Sequence, residues 1–130
     1  MPFRLLVIDD EMDMLVLLRL ILSEQKRYEL VTTPNPWEVE NILQDQEIHL
    51  VITDWRMPGR SGLEVLEAVH RRDPDLPVIL ITAYDSPESA AEAGKKGAFD
   101  YLPKPFRKDR LLAAVEKGLA VYREKKKLQP

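Results

Sequence analysis

The 130-residue chain contains no cysteine. That excludes disulfides, thiolate metal sites and thiol nucleophiles, and it is the usage expected in a reducing cytoplasm. No apolar run approaches the ~20 residues needed to cross a bilayer, and the first residues lack a secretory signal pattern. Glycine is scarce, with five residues, and no Gly-rich dinucleotide or P-loop motif occurs. There is no internal repeat and no low-complexity segment beyond the terminal Arg-Glu-Lys-Lys-Lys. What remains, 45% apolar and 32% charged, is the balance of a soluble globular chain with room for one domain.

The net charge of −3 conceals an asymmetry. Before Lys104 the chain carries 10 Lys and Arg against 19 Asp and Glu, a net of −9; from Lys104 onward it carries 9 against 3, a net of +6. An acidic body with a basic final segment needs an explanation. Positive charge at the carboxyl end of a helix complements the helix dipole, and that alone is sufficient. The alternative is a helix that runs on into a linker.

Short apolar runs alternate with longer stretches of helical period, which argues for an α/β fold with a parallel sheet covered on both faces. The strand candidates are Phe3–Ile8, Tyr28–Thr32, His49–Thr53, Pro77–Thr82 and Ala98–Leu102. Met14, Leu17, Leu18, Ile21 and Leu22 recur at three-to-four spacing and predict the inner face of a first helix. Asn35 followed by Pro36 predicts a capped helix start, with Trp37 a packing residue in its first turn. Ser61 and Glu64 form a capping-box pattern, and Ser86-Pro87 opens another helix that Gly97 closes. The last helix runs from about Arg107 to about Lys126, with Leu111, Leu112, Val115, Leu119 and Tyr122 inward.

In such a sheet, ligands sit beyond the carboxyl ends of the strands, where strand order reverses. This chain places Asp9, Asp10 and Glu11 after its first strand, Asp54 after its third, Thr82 and Ala83 after its fourth, and Lys104 after its fifth. One strand-end Asp reads most simply as a helix cap, but caps are a poor account of the whole set at one edge. Carboxylates held together are pushed toward protonation unless a cation neutralises them. With only oxygen donors on offer, a hard cation such as Mg²⁺ is the natural occupant.

The segments LLVIDDE at 5–11, DWRMPGRSG at 54–62, ITA at 81–83 and GAFDYLPKPF at 97–106 resemble, in this order, the receiver domains of bacterial two-component response regulators. The resemblance spans Arg4 to Leu119. It implies a doubly wound five-stranded parallel sheet, flavodoxin-like in strand order 2-1-3-4-5, with five helices. It further implies that Asp54 is the phosphoacceptor for a sensor histidine kinase and that Asp9, Asp10, Asp54 and the Arg56 backbone carbonyl hold Mg²⁺. Thr82 and Lys104 would contact phosphoryl oxygens, Thr82 and Tyr101 would form the switch, and the Lys104–Pro105 bond would be cis. The chemistry suits these residues: phosphoryl transfer needs positioning and charge neutralisation, and a carboxylate is a competent nucleophile.

Other readings fit less well. A phosphatase of the haloacid-dehalogenase type wants a second Asp two residues after the nucleophile, where this chain has Arg56. A flavodoxin-like cofactor carrier wants a Ser/Thr/Gly-rich loop where Asp9, Asp10 and Glu11 stand. A degenerate receiver, acting only as an interaction module, conflicts with the complete set of pocket residues. His49 and His70 lie away from the pocket, whereas Trp55, beside Asp54, should report Mg²⁺ or phosphate by fluorescence. Arg56 and Tyr84, each two residues beyond a pocket residue, should shield the acyl phosphate from water.

On this reading residues 1–122 are the receiver, and 123–130 are the basic end of the last helix and the start of a linker. Residues 97–128 look most like receivers of enhancer-binding transcription activators, and the chain is expected to continue past Pro130. The switching face is expected around the helix at Pro87, the strand at 98–102 and the last helix. Its output would be a domain of the same chain, a partner protein or a phosphorylation-dependent homodimer. No recognition helix is present, so no direct nucleic-acid contact and no membrane contact is expected.

Overall fold

The computed structural model describes residues 2–127. Five strands alternate with five α-helices: β1 (Phe3–Ile8), α1 (Met12–Ser23), β2 (Tyr28–Thr33), α2 (Val39–Asp45), β3 (Leu50–Asp54), α3 (Gly62–Arg72), β4 (Val78–Thr82), α4 (Pro87–Lys95), β5 (Asp100–Pro103) and α5 (Lys108–Lys126). The strands pair in parallel in the order β2-β1-β3-β4-β5, the expected flavodoxin-like arrangement. From β1 the chain runs outward to β2 and then returns across the sheet to β3. The reversal therefore lies between β1 and β3.

Alternate side chains of the central strands feed two cores. On one face Leu5, Val7, Leu50, Ile52, Ile79 and Ile81 pack under α1 and α5, meeting Leu18, Leu22, Leu111, Val115 and Leu119. On the other, Leu6, Ile8, Val51, Val78 and Leu80 pack under α2, α3 and α4, meeting Val39, Leu43, Val65, Leu66, Val69 and Ala93. Burial on both faces explains why these strands are continuous apolar runs. Truncating one such Leu to Ala costs ~2–5 kcal/mol, so the strand ends stand on a stiff platform.

Register places the site. Ile8 pairs with Thr53, Asp54 with Ile81 and Thr82 with Pro103. Asp9, Asp54, Thr82 and Lys104 are therefore brought side by side along one edge. α3 begins with the expected capping box, Ser61 accepting from the Glu64 N–H at 3.2 Å and Glu64 accepting from the Ser61 N–H at 2.9 Å. Ser86 likewise accepts from the Ser89 N–H at the start of α4 (3.0 Å).

Four local expectations are corrected. Pro36 opens a 3₁₀ turn over Pro36–Glu38, with Asn35 accepting from the Trp37 N–H, and α2 starts only at Val39. Trp37 is not a packing residue of the core but is 60% exposed, its ring under the Arg60 guanidinium. Leu17 is exposed, because the inner face of α1 is centred on Leu15, Leu18, Ile21 and Leu22. β5 begins at Asp100, two residues late, because the Ala98 N–H is still used by the Ala93 carbonyl in closing α4. Residues 128–130, the end of the expected linker, lie outside the described residues.

Candidate functional site

Asp9 follows β1 directly and is fully buried; Asp54 ends β3 and Thr82 ends β4, both buried. Lys104 reaches in from the end of β5, where its N–H donates to the Thr82 carbonyl (2.6 Å) and its peptide bond to Pro105 is cis. The Lys104 ammonium stands 3.3 Å from Asp9 Oδ2, 3.4 Å from Glu11 Oε1 and 3.4 Å from Asp54 Oδ1. One cation thus sits among three carboxylates.

The backbone fixes their orientation. Asp9 Oδ1 accepts from the Glu11 N–H (2.9 Å) and Asp54 Oδ1 from the Trp55 N–H (3.0 Å). The same Trp55 N–H also donates to the Ile81 carbonyl (2.8 Å), continuing the sheet. Beyond Asp54 the loop closes on itself through the Gly62 N–H and the Trp55 carbonyl (2.7 Å). Gly62 is required there: a Cβ would lie 2.3 Å from the Asp54 carbonyl oxygen and 2.8 Å from Trp55 Cα.

Electrostatics follow from that crowding. Burial, and then the neighbouring Asp9 charge, push the Asp54 carboxyl from 3.8 up to about 6. Burial also raises Asp9, against the pull of the Glu11 N–H and Lys104. Burial works to lower the Lys104 ammonium, but the Asp9 and Asp54 charges outweigh it and hold the group above its ordinary value. Two buried acids held up in this way form an undercompensated anionic site.

Oxygens of Asp9, Glu11 and Asp54 come within 4.8 Å of one another, a spacing that can hold a metal ion. The donors are all carboxylate, which fits a hard divalent cation such as Mg²⁺. Asp10 is exposed outside that trio, near enough for its charge to raise Asp54. Glu11 is the residue that sequence reasoning left without a role. Its place immediately after the Asp9-Asp10 pair was the available signal.

Around the pocket, Thr82 Oγ1 accepts from the Tyr84 N–H (2.9 Å). Arg56 lies over the Tyr84 ring at 4.5 Å, joining the loops after β3 and β4. Tyr101 is half-buried; its hydroxyl donates to Asp85 (2.9 Å), and its ring meets Trp55 edge-on at 5.9 Å. Asp85 had no sequence signal, since its role depends on the β4–α4 loop folding toward β5. The histidines are occupied elsewhere: His49 Nδ1 accepts from the Arg4 N–H (2.9 Å), and His70 Nε2 lies 3.0 Å from the Leu76 carbonyl.

A doubly wound parallel sheet with an acidic pocket beyond its strand ends, reached by one lysine, defines a flavodoxin-like α/β domain. The family profile of the response regulator receiver domain matches residues 5–116, and the chain belongs to that family. It is 42% identical over 93 residues to the DNA-binding transcriptional regulator NtrC of Escherichia coli K12, covering 72% of this chain and 20% of that protein. It is 38% identical over 114 residues to the response regulator protein PilR of Pseudomonas aeruginosa, covering 88% of this chain and 25% of that one. A receiver domain from Clostridium thermocellum superposes with a TM-score of 0.85 at 32% identity, covering 98% of this chain and 99% of its own. The chain thus spans a fifth to a quarter of the curated relatives named here.

Proposed function

We propose that this domain accepts a phosphoryl group on Asp54 from a phosphohistidine of a sensor kinase. The observation that carries this reading is the placement of Asp54 at the end of β3, with the Lys104 ammonium 3.4 Å away and two further carboxylates around it. An Asp54 carboxylate oxygen attacks phosphorus; the P–O bond forms, the P–N bond breaks, and the imidazole leaves with a proton from solvent. Asp9, Asp10, Asp54 and the Arg56 carbonyl, with Glu11 nearby, are the residues that would hold Mg²⁺. When bound, the ion neutralises charge on the phosphoryl oxygens. Lys104 supplies the opposing cation and Thr82 a hydroxyl donor to the same oxygens. The domain turns over no free substrate; it promotes its own phosphorylation and a slow dephosphorylation.

The partners follow from the surfaces. Met12, Val16 and Leu20 lie at successive helical turns of α1, all exposed, directly after Glu11. This apolar stripe beside the pocket suits a helical kinase surface. On the output side, a phosphorylated Asp54 adds roughly −1.5 to −2 charges, which draws Thr82 inward and frees space for Tyr101 to follow. Tyr101 then leaves Asp85 and re-packs the face formed by α4, β5 and α5. That face would act on an output domain of the same chain, on a partner or on a second copy. The relatives suggest a transcription regulator, with residues 1–122 as the receiver and nucleic-acid contact made outside it. Cytoplasmic location accords with that reading, and among the described residues no helix is long and apolar enough to cross a membrane.

The test is incubation with a small phosphodonor and Mg²⁺, followed by intact mass. The expected result is one added phosphate in the wild type and none in Asp54→Asn. A wild type that gains nothing overturns the reading in favour of an unphosphorylated interaction module.

A further inference from the structure

Arg60 lies in the β3–α3 loop, yet its side chain is only 6% exposed. Two of its N–H groups grip Glu40 at the start of α2 as a parallel fork, at 2.7 and 2.6 Å, and Nη1 also donates to the Pro36 carbonyl (3.2 Å). Trp37 covers the guanidinium at 4.6 Å, and Trp37 Nε1 lies 3.4 Å from where a Cβ on Gly59 would stand. A bidentate, ring-covered arginine is a rigid connector, which a lysine cannot reproduce.

What it connects is the rim of the acidic pocket. The Asp9 N–H donates to the Thr33 carbonyl (3.3 Å), and Thr33 Oγ1 accepts from the Asn35 N–H (3.0 Å). Asn35 caps the turn that holds Pro36, and Pro36 holds Arg60. From Arg60 the chain runs back through Gly59 to Arg56 and Asp54. These contacts lead from Asp9 to the Asp54 loop along one side of the pocket, and Arg60 is the member that joins the two. The Gly62 to Trp55 bond ties the loop only to itself, and the Arg56–Tyr84 and Trp55–Tyr101 contacts tie it toward β4 and β5, not toward the Asp9 side.

We propose that Arg60, gripped by Glu40 and Pro36 and covered by Trp37, is a positioning residue that presents the 55–61 loop, with the Arg56 carbonyl, to the divalent cation. The inference rests on the Mg²⁺-assisted phosphoacceptor reading above. Groups that orient metal ligands without touching the metal typically govern affinity by ~10–100-fold. The sign separates positioning from bulk charge: removing a nearby cation should tighten Mg²⁺ binding, whereas loosening the loop should weaken it.

The experiment is calorimetric titration of Mg²⁺ into the wild type, Arg60→Met, Arg60→Lys and Glu40→Gln, each shown to be folded by circular dichroism. The expected result is about tenfold weaker binding in both Arg60 variants, including the lysine that keeps the charge, with Glu40→Gln weakened in the same direction. Should Arg60→Met not fold, the other two variants carry the comparison. Folded variants that bind Mg²⁺ within about twofold of the wild type, whatever their melting temperatures, overturn the proposal alone. A wild type that binds no Mg²⁺ overturns the metal-assisted reading and this inference together.

Discussion

Replacing the nucleophile should make the metal-free domain more stable. Asp54 is buried, beside Asp9, and its carboxyl is raised from 3.8 to about 6. At about 1.4 kcal/mol per pH unit, ionising it costs the folded state roughly 3 kcal/mol. The sign runs against the usual carboxylate case. Below about pH 4 the group is protonated in folded and unfolded chains alike and costs nothing; the penalty grows through about pH 6 and is complete above it. Asparagine mimics the neutral acid, so Asp54→Asn escapes the penalty at every pH. That cost is already net of the Lys104 attraction, which works to lower the Asp54 carboxyl, and Lys104 keeps Asp9 and Glu11 as partners, so the gain near pH 8 is about 3 kcal/mol. Against a typical total of ~5–15 kcal/mol, urea unfolding resolves such a difference. Measured without metal at about pH 8 and about pH 4, the gap should be large and then close, and saturating Mg²⁺ should narrow it. A gap that is zero or negative near pH 8, or that ignores pH, refutes the reasoning.

Three further outcomes are expected. Arg56→Ala and Tyr84→Ala each remove one half of the 4.5 Å contact at the pocket rim, so the phosphorylated protein should lose its phosphate severalfold faster by intact mass; unchanged half-lives in both would sink the shielding idea. Gly62→Ala drives a methyl group to within 2.3 Å of the Asp54 carbonyl oxygen, and the resulting overpacking should cost ~1–3 kcal/mol in urea unfolding; an unshifted midpoint would mean that α3 moves aside freely. Trp55, buried between the loop and Tyr101, should change its emission on Mg²⁺ titration in a Trp37→Phe background. Constant emission up to saturation would count against its contact with the site.

The architecture was legible because strands buried on both faces leave an unbroken apolar signature. Phe3–Ile8 is found residue for residue, and the Ser61-Glu64 pair announces α3 at its true start. Misplacements fall where a long-range contact decides. Trp37 looks like core material by type, but a buried arginine from a distant loop draws its ring to the surface. Leu17 satisfies the three-to-four spacing yet lies just outside the arc that faces the sheet. At the site, residues adjacent to strand ends could be read from order alone. Glu11 stood among them and was passed over, whereas Arg60 and Asp85 could not be read, because each acts through a partner brought near only by folding.

The basic final segment has a consequence for how the domain responds to its medium. Lys108 meets Glu24, Arg110 forks onto Asp100, Lys125 meets Asp75, and Lys126 meets Asp73, which also accepts from Tyr122. The excess positive charge is thus largely spent as an internal counterion to the acidic body, and little of it is left to behave as a free polyelectrolyte. Each exposed pair contributes only ~0–1 kcal/mol and is screened over ~8 Å at physiological salt. The outer side of α5 is therefore fastened by many weak, screenable stitches while its apolar side stays locked in the core. Ionic strength becomes a graded control on how firmly α5 is held, set by the solvent and independent of phosphate.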